Sequence, residues 1–485
     1  MGLPSYLISA LTVACALFME NLDSTVIATS LPAMAADLHE DPISLQLALT
    51  SYLVSLAIFI PASGWVADRF GARTTFRVAI LIFTLGSVLC GLASTLPLLV
   101  GARVLQGLGG ALMVPVGRLV LLRSVDRSEL INALAFLTVP ALLGPITGPP
   151  LGGFITTYFH WRWIFWINVP IGAAGFLIAT LYMNEGESEA PGPLDVPGFL
   201  LCGFGLAFLL FGFGGAGRGL MAWQATAVLG SLGTLVLVFY VRHARRTPSP
   251  LIDLGLLSIK TFRASVLGGS LFRIGIGSIP FLLPLMLQTG FGLTAFQSGS
   301  ITFIASVGSL AMKTTAAPIL RLFGFRRVLV FDAILSAGFL CSYGFFTPTT
   351  PVLLMMSVLL TSGFVRSLEF TSLNAIAFAE IEPAQMSRAV SFSSAAQQLS
   401  LSLGVAAGAG VLQGIAYVHP GQDILASANF KWAFIIMAAI SMSAAIAFLR
   451  LPQGAGAQLI EQPASQPSQG SNQKPAATEE LFSQL

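Results

Sequence analysis

Charge is what this chain has least of: only 9% of its 485 residues are Asp, Glu, Lys or Arg, against 55% hydrophobic ones. A water-soluble fold of that length cannot hide so much apolar surface in a core, so lipid must be its main solvent. Lysine is scarce too. Lys260, Lys313, Lys431 and Lys474 each lack a glycine immediately before them, which excludes the G-x4-G-K-[ST] loop that cradles nucleotide phosphates. Neither an H-E-x-x-H motif nor a G-x-S-x-G elbow with a histidine partner occurs, so protease and hydrolase chemistry is excluded as well. The four cysteines, Cys15, Cys90, Cys202 and Cys341, lie in apolar stretches without a pairing pattern or metal-ligand spacing and read as packing residues. His39, His160, His243 and His419 fall in loops or at the ends of apolar runs, which gives a histidine metal site or a buried proton relay little support. No enzymatic activity, metal or cofactor is expected.

What is present is a succession of apolar runs. Taking about 20 residues per crossing, roughly fourteen helical spans begin near Leu7, Leu45, Phe76, Leu98, Ile131, Trp163, Val196, Trp223, Ala264, Ala295, Val328, Val352, Ala389 and Phe430. The first lacks a basic leader and an A-x-A site and runs too far for a signal peptide. The fold class is therefore an all-α integral membrane protein, with the lipid bilayer as its surroundings. Basic residues set its orientation, because Lys and Arg near span ends stay on the cytoplasmic side. With both termini inside, one set of loops carries Arg69, Arg73, Arg77, Arg123, Arg127, Arg242, Arg245, Arg246, Lys260, Arg263, Arg321, Arg326, Arg327, Arg388, Arg450 and Lys474; the opposite set has only Arg162, Arg218 and Lys431. The net charge of +3 follows from this asymmetry, and nucleic acid is not an expected partner.

Between the second and third spans lies Gly64-Trp65-Val66-Ala67-Asp68-Arg69-Phe70-Gly71-Ala72-Arg73-Thr74. Gly71 suits a turn too tight for a side chain, Asp68 offers a carboxylate beside helix ends, and Arg69 and Arg73 resist crossing the membrane. A loop of this kind is either an ordinary basic loop or a latch in which Asp68 meets a helix N-terminus from elsewhere in the molecule. The spacing returns in Ala317-Pro318-Ile319-Leu320-Arg321-Leu322-Phe323-Gly324-Phe325-Arg326-Arg327, with Arg321 where the first copy has Asp68. An internal repeat is what a transporter built from two related halves shows. The linker from Glu185 to Glu189 is acidic, and the segment from Arg242 to Arg246 is basic. Together they bracket two further spans.

Ionisable residues inside apolar runs are functional candidates. Glu20 and Asp23 are three apart on one helix face, where two carboxylates repel and so compete for a proton; the alternative is a water-filled vestibule that leaves both charged. Arg366 and Glu369 have the same spacing and suit either an ion pair or transport. Arg103, Arg118, Arg273, Lys313 and Arg366 are basic and within spans; leaving one unpaired at mid-membrane costs about 2.5–3.5 kcal/mol. Arg118 and Lys313 are near enough to a span end to reach the interface. Set against Glu20, Asp23 and Glu369, these bases predict a net positive cavity.

Four motifs carry a family resemblance together with the loop around Asp68. Arg103-Val104-Leu105-Gln106-Gly107-Leu108-Gly109 resembles an Arg-x-x-Gln-Gly-x-Gly motif. Gly144-Pro145-Ile146-Thr147-Gly148-Pro149-Pro150-Leu151-Gly152-Gly153 resembles a G-x3-G-P-x2-G-G antiporter motif, although Ala135 replaces a glycine farther upstream. The segments Leu22–Pro32 and Trp161–Gly172 resemble the first helix and the opening of the sixth in fourteen-span drug:proton antiporters of the EmrB/QacA type, within the major facilitator superfamily. Arg245 to Ile252 resembles one subgroup of that family. The resemblance implies a major facilitator fold of about 14 transmembrane helices: a six-helix bundle over 1–184, a linker with two extra helices over 185–262, a second six-helix bundle over 263–451, and a disordered cytoplasmic tail over 452–485. It implies a multi-pass protein of the bacterial inner membrane, working as a monomer, that exports a small-molecule substrate in exchange for protons. Asp23, Glu20 and Arg103 would couple protons; Gln106, Arg273, Arg366, Glu369 and Lys313 would line the substrate cavity; Gly64, Asp68, Arg69, Gly71 and Arg73 would gate; and Gly144, Gly148, Pro149, Gly152 and Gly153 would seal against leak. The expected cargo is a drug, with an anionic metabolite or a metal chelate such as iron-citrate as the alternative favoured by the basic cavity. A non-transporting sensor or scaffold is the remaining class.

Overall fold

The computed structural model describes residues 5–124, 130–183, 193–215, 223–248, 250–382, 385–418, 425 and 427–457. The acidic linker from Glu185 to Glu189, Arg127, Arg218, His419, Lys474 and the tail beyond 457 lie outside them, as do the side chains of Arg118, Arg123 and Ala135.

Apolar runs in a medium without water must satisfy their backbone groups internally, and helices do so. Among the described residues fourteen long helical segments result: α1 Ser5–Val26, α2 Gln46–Phe70, α3 Ala72–Leu92, α4 Leu96–Ser124, α5 Leu130–Tyr158, α6 Trp163–Tyr182, α7 Val196–Gly215, α8 Trp223–Ala244, α9 Lys260–Gly290, α10 Ala295–Lys313, α11 Phe325–Tyr343, α12 Val352–Ile376, α13 Met386–Val418 and α14 Ser427–Leu449. Eleven of these are apolar and long enough to cross a bilayer over their described residues; α5, α7 and α11 complete the set, and α11 carries Arg326, Arg327 and Asp332.

The molecule is apolar outside and polar at selected points inside. Leu81, Leu85, Leu89 and Leu92 form an exposed stripe along α3, while Asp23, Arg103, Gln106, Asn168, Arg273 and Glu369 are buried. Lipid solvates leucine as well as a core does, so close packing and polar contacts decide which helix faces turn inward. Cys90 and Cys202 are buried as packing residues, but Cys15 is exposed on the outer face of α1.

The halves share one contact scheme. α1 packs on α5 and α6, α4 on α2 and α3, and α3 on α6; adding eight to each helix number reproduces the principal contacts of α9 to α14. The halves meet where α5 lies on α10 and α2 on α13, again an exchanged pair. The hairpin of α7 and α8 covers that second seam. Phe199 meets Phe59 on α2 at 5.6 Å, and Cys202 and Leu206 share a small core with Ile58 and Leu399. At the open end of the hairpin, the Asp195 carboxylate accepts from His243 Nε2 at 2.6 Å and from the backbone N–H groups of Gly198 and Leu251. Burial there raises the Asp195 pKa, but these donors prevail and hold it below the ordinary carboxylate value.

Candidate functional site

A buried polar network occupies the middle of the first half, leaving only the second Nη of Arg103 and Oδ1 of Asn168 without partners among its Asp, Arg, Gln and Asn groups. Arg103 on α4 donates through one Nη to Asp23 Oδ2 at 2.5 Å and to Gln106 Oε1 at 2.7 Å, and through Nε to the Ala48 carbonyl at 2.9 Å. Asp23 Oδ1 accepts from Gln106 Nε2 at 2.8 Å and from Asn168 Nδ2 at 2.9 Å. Both amides also donate to Ser87 Oγ. The guanidinium carbon stands 4.3 Å from the Tyr52 ring centroid and 5.8 Å from that of Phe165. Asp23, Arg103, Gln106 and Asn168 are all fully buried, so five helices, α1, α2, α3, α4 and α6, hold one ion pair away from solvent. The pattern follows from helix periodicity, because Arg103 and Gln106 at i, i+3 share a face of α4. Glu20, one turn before Asp23, is half-buried.

The structure divides the loop around Asp68. Gly64 is exposed within α2, six residues before its end, and outside the turn itself. Gly71 takes φ +85° and separates α2 from α3; Gly324 takes φ +74° and leads into α11. The repeat seen in the sequence is thus a repeat of backbone conformation. Arg73 Nη2 donates to the Thr180 carbonyl near the end of α6 at 2.6 Å, and Arg326 Nη2 to the Leu449 carbonyl at the end of α14 at 2.8 Å. Each arginine therefore caps the last helix of its own half, where helix carbonyls lack partners and the dipole favours a cation. Arg69 is exposed and Asp68 half-buried.

The small residues of α5 make a seam with two faces. A Cβ on Gly148 would lie 2.0 Å from Thr25 Oγ1, and one on Gly152 2.3 Å from the Val26 carbonyl oxygen, so this face presses on α1. Gly144 continues it, facing Asn21 and Leu22. The other face meets α10: a Cβ on Gly153 would be 2.4 Å from the Ala295 carbonyl oxygen, and one on Gly299 2.2 Å from that of Pro149. Thr157 Oγ1 accepts from the Phe296 N–H at 3.0 Å, and the Phe296 ring contacts Phe154 and Tyr158. Gln288 on α9 donates to the Thr29 carbonyl at 2.9 Å. The halves are thereby closed together at the end carrying Thr29, Tyr158 and Ala295. At that same end Arg162 donates to Asp37 at 2.5 Å and to the Ala93 carbonyl, while Trp161 Nε1 also donates to Asp37.

The second half has buried charges of another kind. Arg273 on α9 is buried with Nε and one Nη lacking an acceptor, and its guanidinium stands 5.7 Å from the Phe370 ring centroid. Glu369 on α12 is fully buried and neither carboxyl oxygen meets a donor, so it does not form the ion pair with Arg366 that their spacing allows. Arg366 is half-buried, within electrostatic reach of Tyr343, whose hydroxyl meets Ser362 Oγ at 2.5 Å. Lys313, expected in the cavity, is exposed at the last position of α10 and donates to Thr371 Oγ1 at 2.9 Å.

Two functional candidates escape a reading of the sequence. Asn168 lies inside the Trp161–Gly172 motif, and a lone amide entering an apolar span is its signal. Asp332, buried on α11 with Oδ2 lacking a donor, joins Asp23 and Glu369 as a third buried acid among the described residues; its nearness in sequence to Arg326 and Arg327 makes it look like part of a charged loop. It also enters the expected charge balance. With Arg103 neutralised by Asp23 and Lys313 exposed, Arg273 and Arg366 are the remaining buried or half-buried bases of the expected five among the described residues, and they are offset only when Glu369 and Asp332 are ionised. No cluster of three or more metal-ligating side chains occurs among them.

The chain matches the Major Facilitator Superfamily over residues 13–405, with a second match over 265–484. A protein of Yersinia enterocolitica serotype O:8 / biotype 1B named "Putative multidrug resistance protein MdtD" is 39% identical over 448 residues, covering 92% of this chain and 95% of the relative. One of Salmonella paratyphi B with the same name is 38% identical over 449 residues, covering 91% and 94%. Among solved structures, a D-xylose-proton symporter aligns with a TM-score of 0.67 at 16% identity over 93% of this chain and 99% of that one. An inward-facing bacterial homolog of the human lysosomal transporter Spinster aligns with a TM-score of 0.62 at 16% identity over 96% and 100%. At such identities the likeness to the solved structures is one of fold.

Proposed function

The chain belongs to the Major Facilitator Superfamily and is a multi-pass secondary transporter, not an enzyme; from that premise we propose that it exports small molecules of the multidrug type across a bacterial inner membrane in exchange for protons, by alternating access, as a monomer with both termini cytoplasmic. The observation that carries the reading is the buried Asp23–Arg103 pair. Asp23 Oδ2 meets Arg103 at 2.5 Å, so a proton arriving on that oxygen must displace the guanidinium, and proton and arginine compete for one atom. Gln106 and Asn168 keep Oδ1 in place through either event. Release of Arg103 frees α4 from α1 and tips the equilibrium between two states of the bundle.

The seam of α5 with α10 closes the end that the distribution of arginines puts outside, so this conformation is inward-facing. Gly148, Pro149, Gly152 and Gly153 form that outer seal. Asp68, with Arg69, Gly71 and Arg73, belongs to the opposite gate, where Arg73 braces its own half. Cargo of the MdtD relatives' named class enters between the halves; of the expected lining residues Gln106, Arg273 and Glu369 are buried, Arg366 is half-buried and Lys313 is exposed. Anionic cargo is a second reading, favoured by the two guanidinium nitrogens of Arg273 that have no acceptor.

Proton release from protein reconstituted in liposomes, under an imposed pH gradient, tests this on adding lipophilic cations or organic anions such as citrate chelates. A response to cations supports drug export, and one to anions alone moves the substrate site to Arg273 and Arg366. Silence from both removes the antiporter reading.

A further inference from the structure

At the end of the second half where α10 turns into α11, a cavity of about 1100 Å³ opens between α11, the end of α14 and the chain after it. Arg321, Arg326 and Arg327 stand around it, and Asp332 and Leu368 are in its wall. Directly after Leu368 comes Glu369, fully buried with no donor to either oxygen. Asp332 is seven residues from the start of α11 and Glu369 seven from the end of α12, about 10 Å along each helix. The two carboxyls therefore lie at one depth on neighbouring helices, close enough to act on each other electrostatically, with Arg273 acting on Glu369 from α9.

A carboxylate buried without a donor is costly when ionised and far less so when protonated. The Asp23 network has three donors and a counter-charge. Its second-half counterpart has no donor, only Arg273 acting from a distance, and the cavity that Asp332 lines lies beside it. We propose that Glu369 and Asp332 form a proton relay in which Glu369 takes a proton from the central space and Asp332 delivers it to the cytoplasmic cavity. In the transfer Glu369 loses the proton and becomes the carboxylate that Arg273 compensates, Asp332 gains it, and water in the cavity removes it, so charge is conserved at each step. The carboxyls are not hydrogen-bonded to each other here, and the step runs through a shift of α11 on α12 or one bridging water. The other charged groups facing the pair leave the relay free among the described residues. Lys313 on α10 is exposed on Thr371, Arg366 lies towards Tyr343, Arg326 is held by Leu449, Arg321 and Arg327 are exposed around the cavity, and Lys431, the one charge on α14, sits at the far end over Phe345.

The proposal rests on the proton-coupled reading, and its test needs no substrate. Infrared spectra of the full-length protein in liposomes, titrated across the neutral range, should show a carboxylic acid C=O band that Glu369→Gln removes and Asp23→Asn leaves intact. Asp332→Asn should keep the band but slow its hydrogen–deuterium exchange by about tenfold or more, and Asp332→Glu should restore the rate. A band that survives Glu369→Gln overturns the proposal, as does wild-type exchange in Asp332→Asn; where Asp332→Asn does not fold, exchange in Asp332→Glu at less than a tenth of the wild-type rate overturns it too. A protein with the expected band that moves no cation or anion would refute export while leaving the proton site standing.

Discussion

Replacing Asp23 by Asn keeps the shape of the side chain and removes its charge. The surrounding donors make this more than a loss of charge. Arg103 presents an N–H to Oδ2, while Gln106 and Asn168 present N–H groups to Oδ1, so all three neighbours donate and none accepts. An asparagine amide offers one acceptor and one donor, and in either orientation its NH2 faces an N–H. Turning the Gln106 amide does not help, because its oxygen already accepts from Arg103. Arg103 is then a buried cation without a counter-charge, and removing one partner of such a pair costs about 3–5 kcal/mol. Arg103→Met leaves Asp23 in the converse position at a similar cost. The double variant buries neither charge, so its loss of stability should fall short of the sum of the singles by about 2 kcal/mol or more. Reversible unfolding in mixed micelles, followed by circular dichroism, measures the cycle. Additive losses would refute the reasoning, since they would mean that the two side chains do not compensate each other. Proton-driven transport should be lost in all three variants, and an Asp23→Asn protein with full transport would remove Asp23 from coupling.

Gly152→Ala places a Cβ 2.3 Å from the Val26 carbonyl oxygen; backbone cannot step aside cheaply, so a loss of about 1–3 kcal/mol and a proton leak in liposomes are expected. Gly64→Ala meets nothing within 4 Å inside α2 and should raise stability by about 0.5–1 kcal/mol, which thermal unfolding of the pair will show side by side. Arg73→Ala and Arg326→Ala should each cost about 1–2 kcal/mol by uncapping α6 or α14, and unequal losses would argue against their equivalence. The Asp195 carboxylate is held below the ordinary value, so its contribution is present above pH about 4 and fades as pH falls through the lowered folded value. Asp195→Asn should flatten the acid limb of the melting-temperature profile, and an unchanged limb would place the acid sensitivity elsewhere.

The amino-acid sequence by itself determined the solvent, the number of helices and the repeat, because each is written in local features. Twenty apolar residues must form a helix in lipid, arginines mark span ends, and a glycine before a basic residue turns the chain at both Gly71 and Gly324. It also placed Arg103 and Gln106 on one face, since helical periodicity fixes that without reference to a partner. Pairing across the molecule was not legible, because periodicity says which residues share a face but not what that face meets. Arg103 and Asp23 are 80 positions apart and Asn168 is 145 from Asp23; only the packing of α1, α4 and α6 brings them together. Tertiary structure likewise decided that Arg73 caps its own half, that Glu369 passes over Arg366, and that Asp332 is a buried acid at the wall of a cavity. Adjacent charges on a helix pair only where the fold gives them a common space, and in α12 it gives Glu369 to α9 and α11 instead.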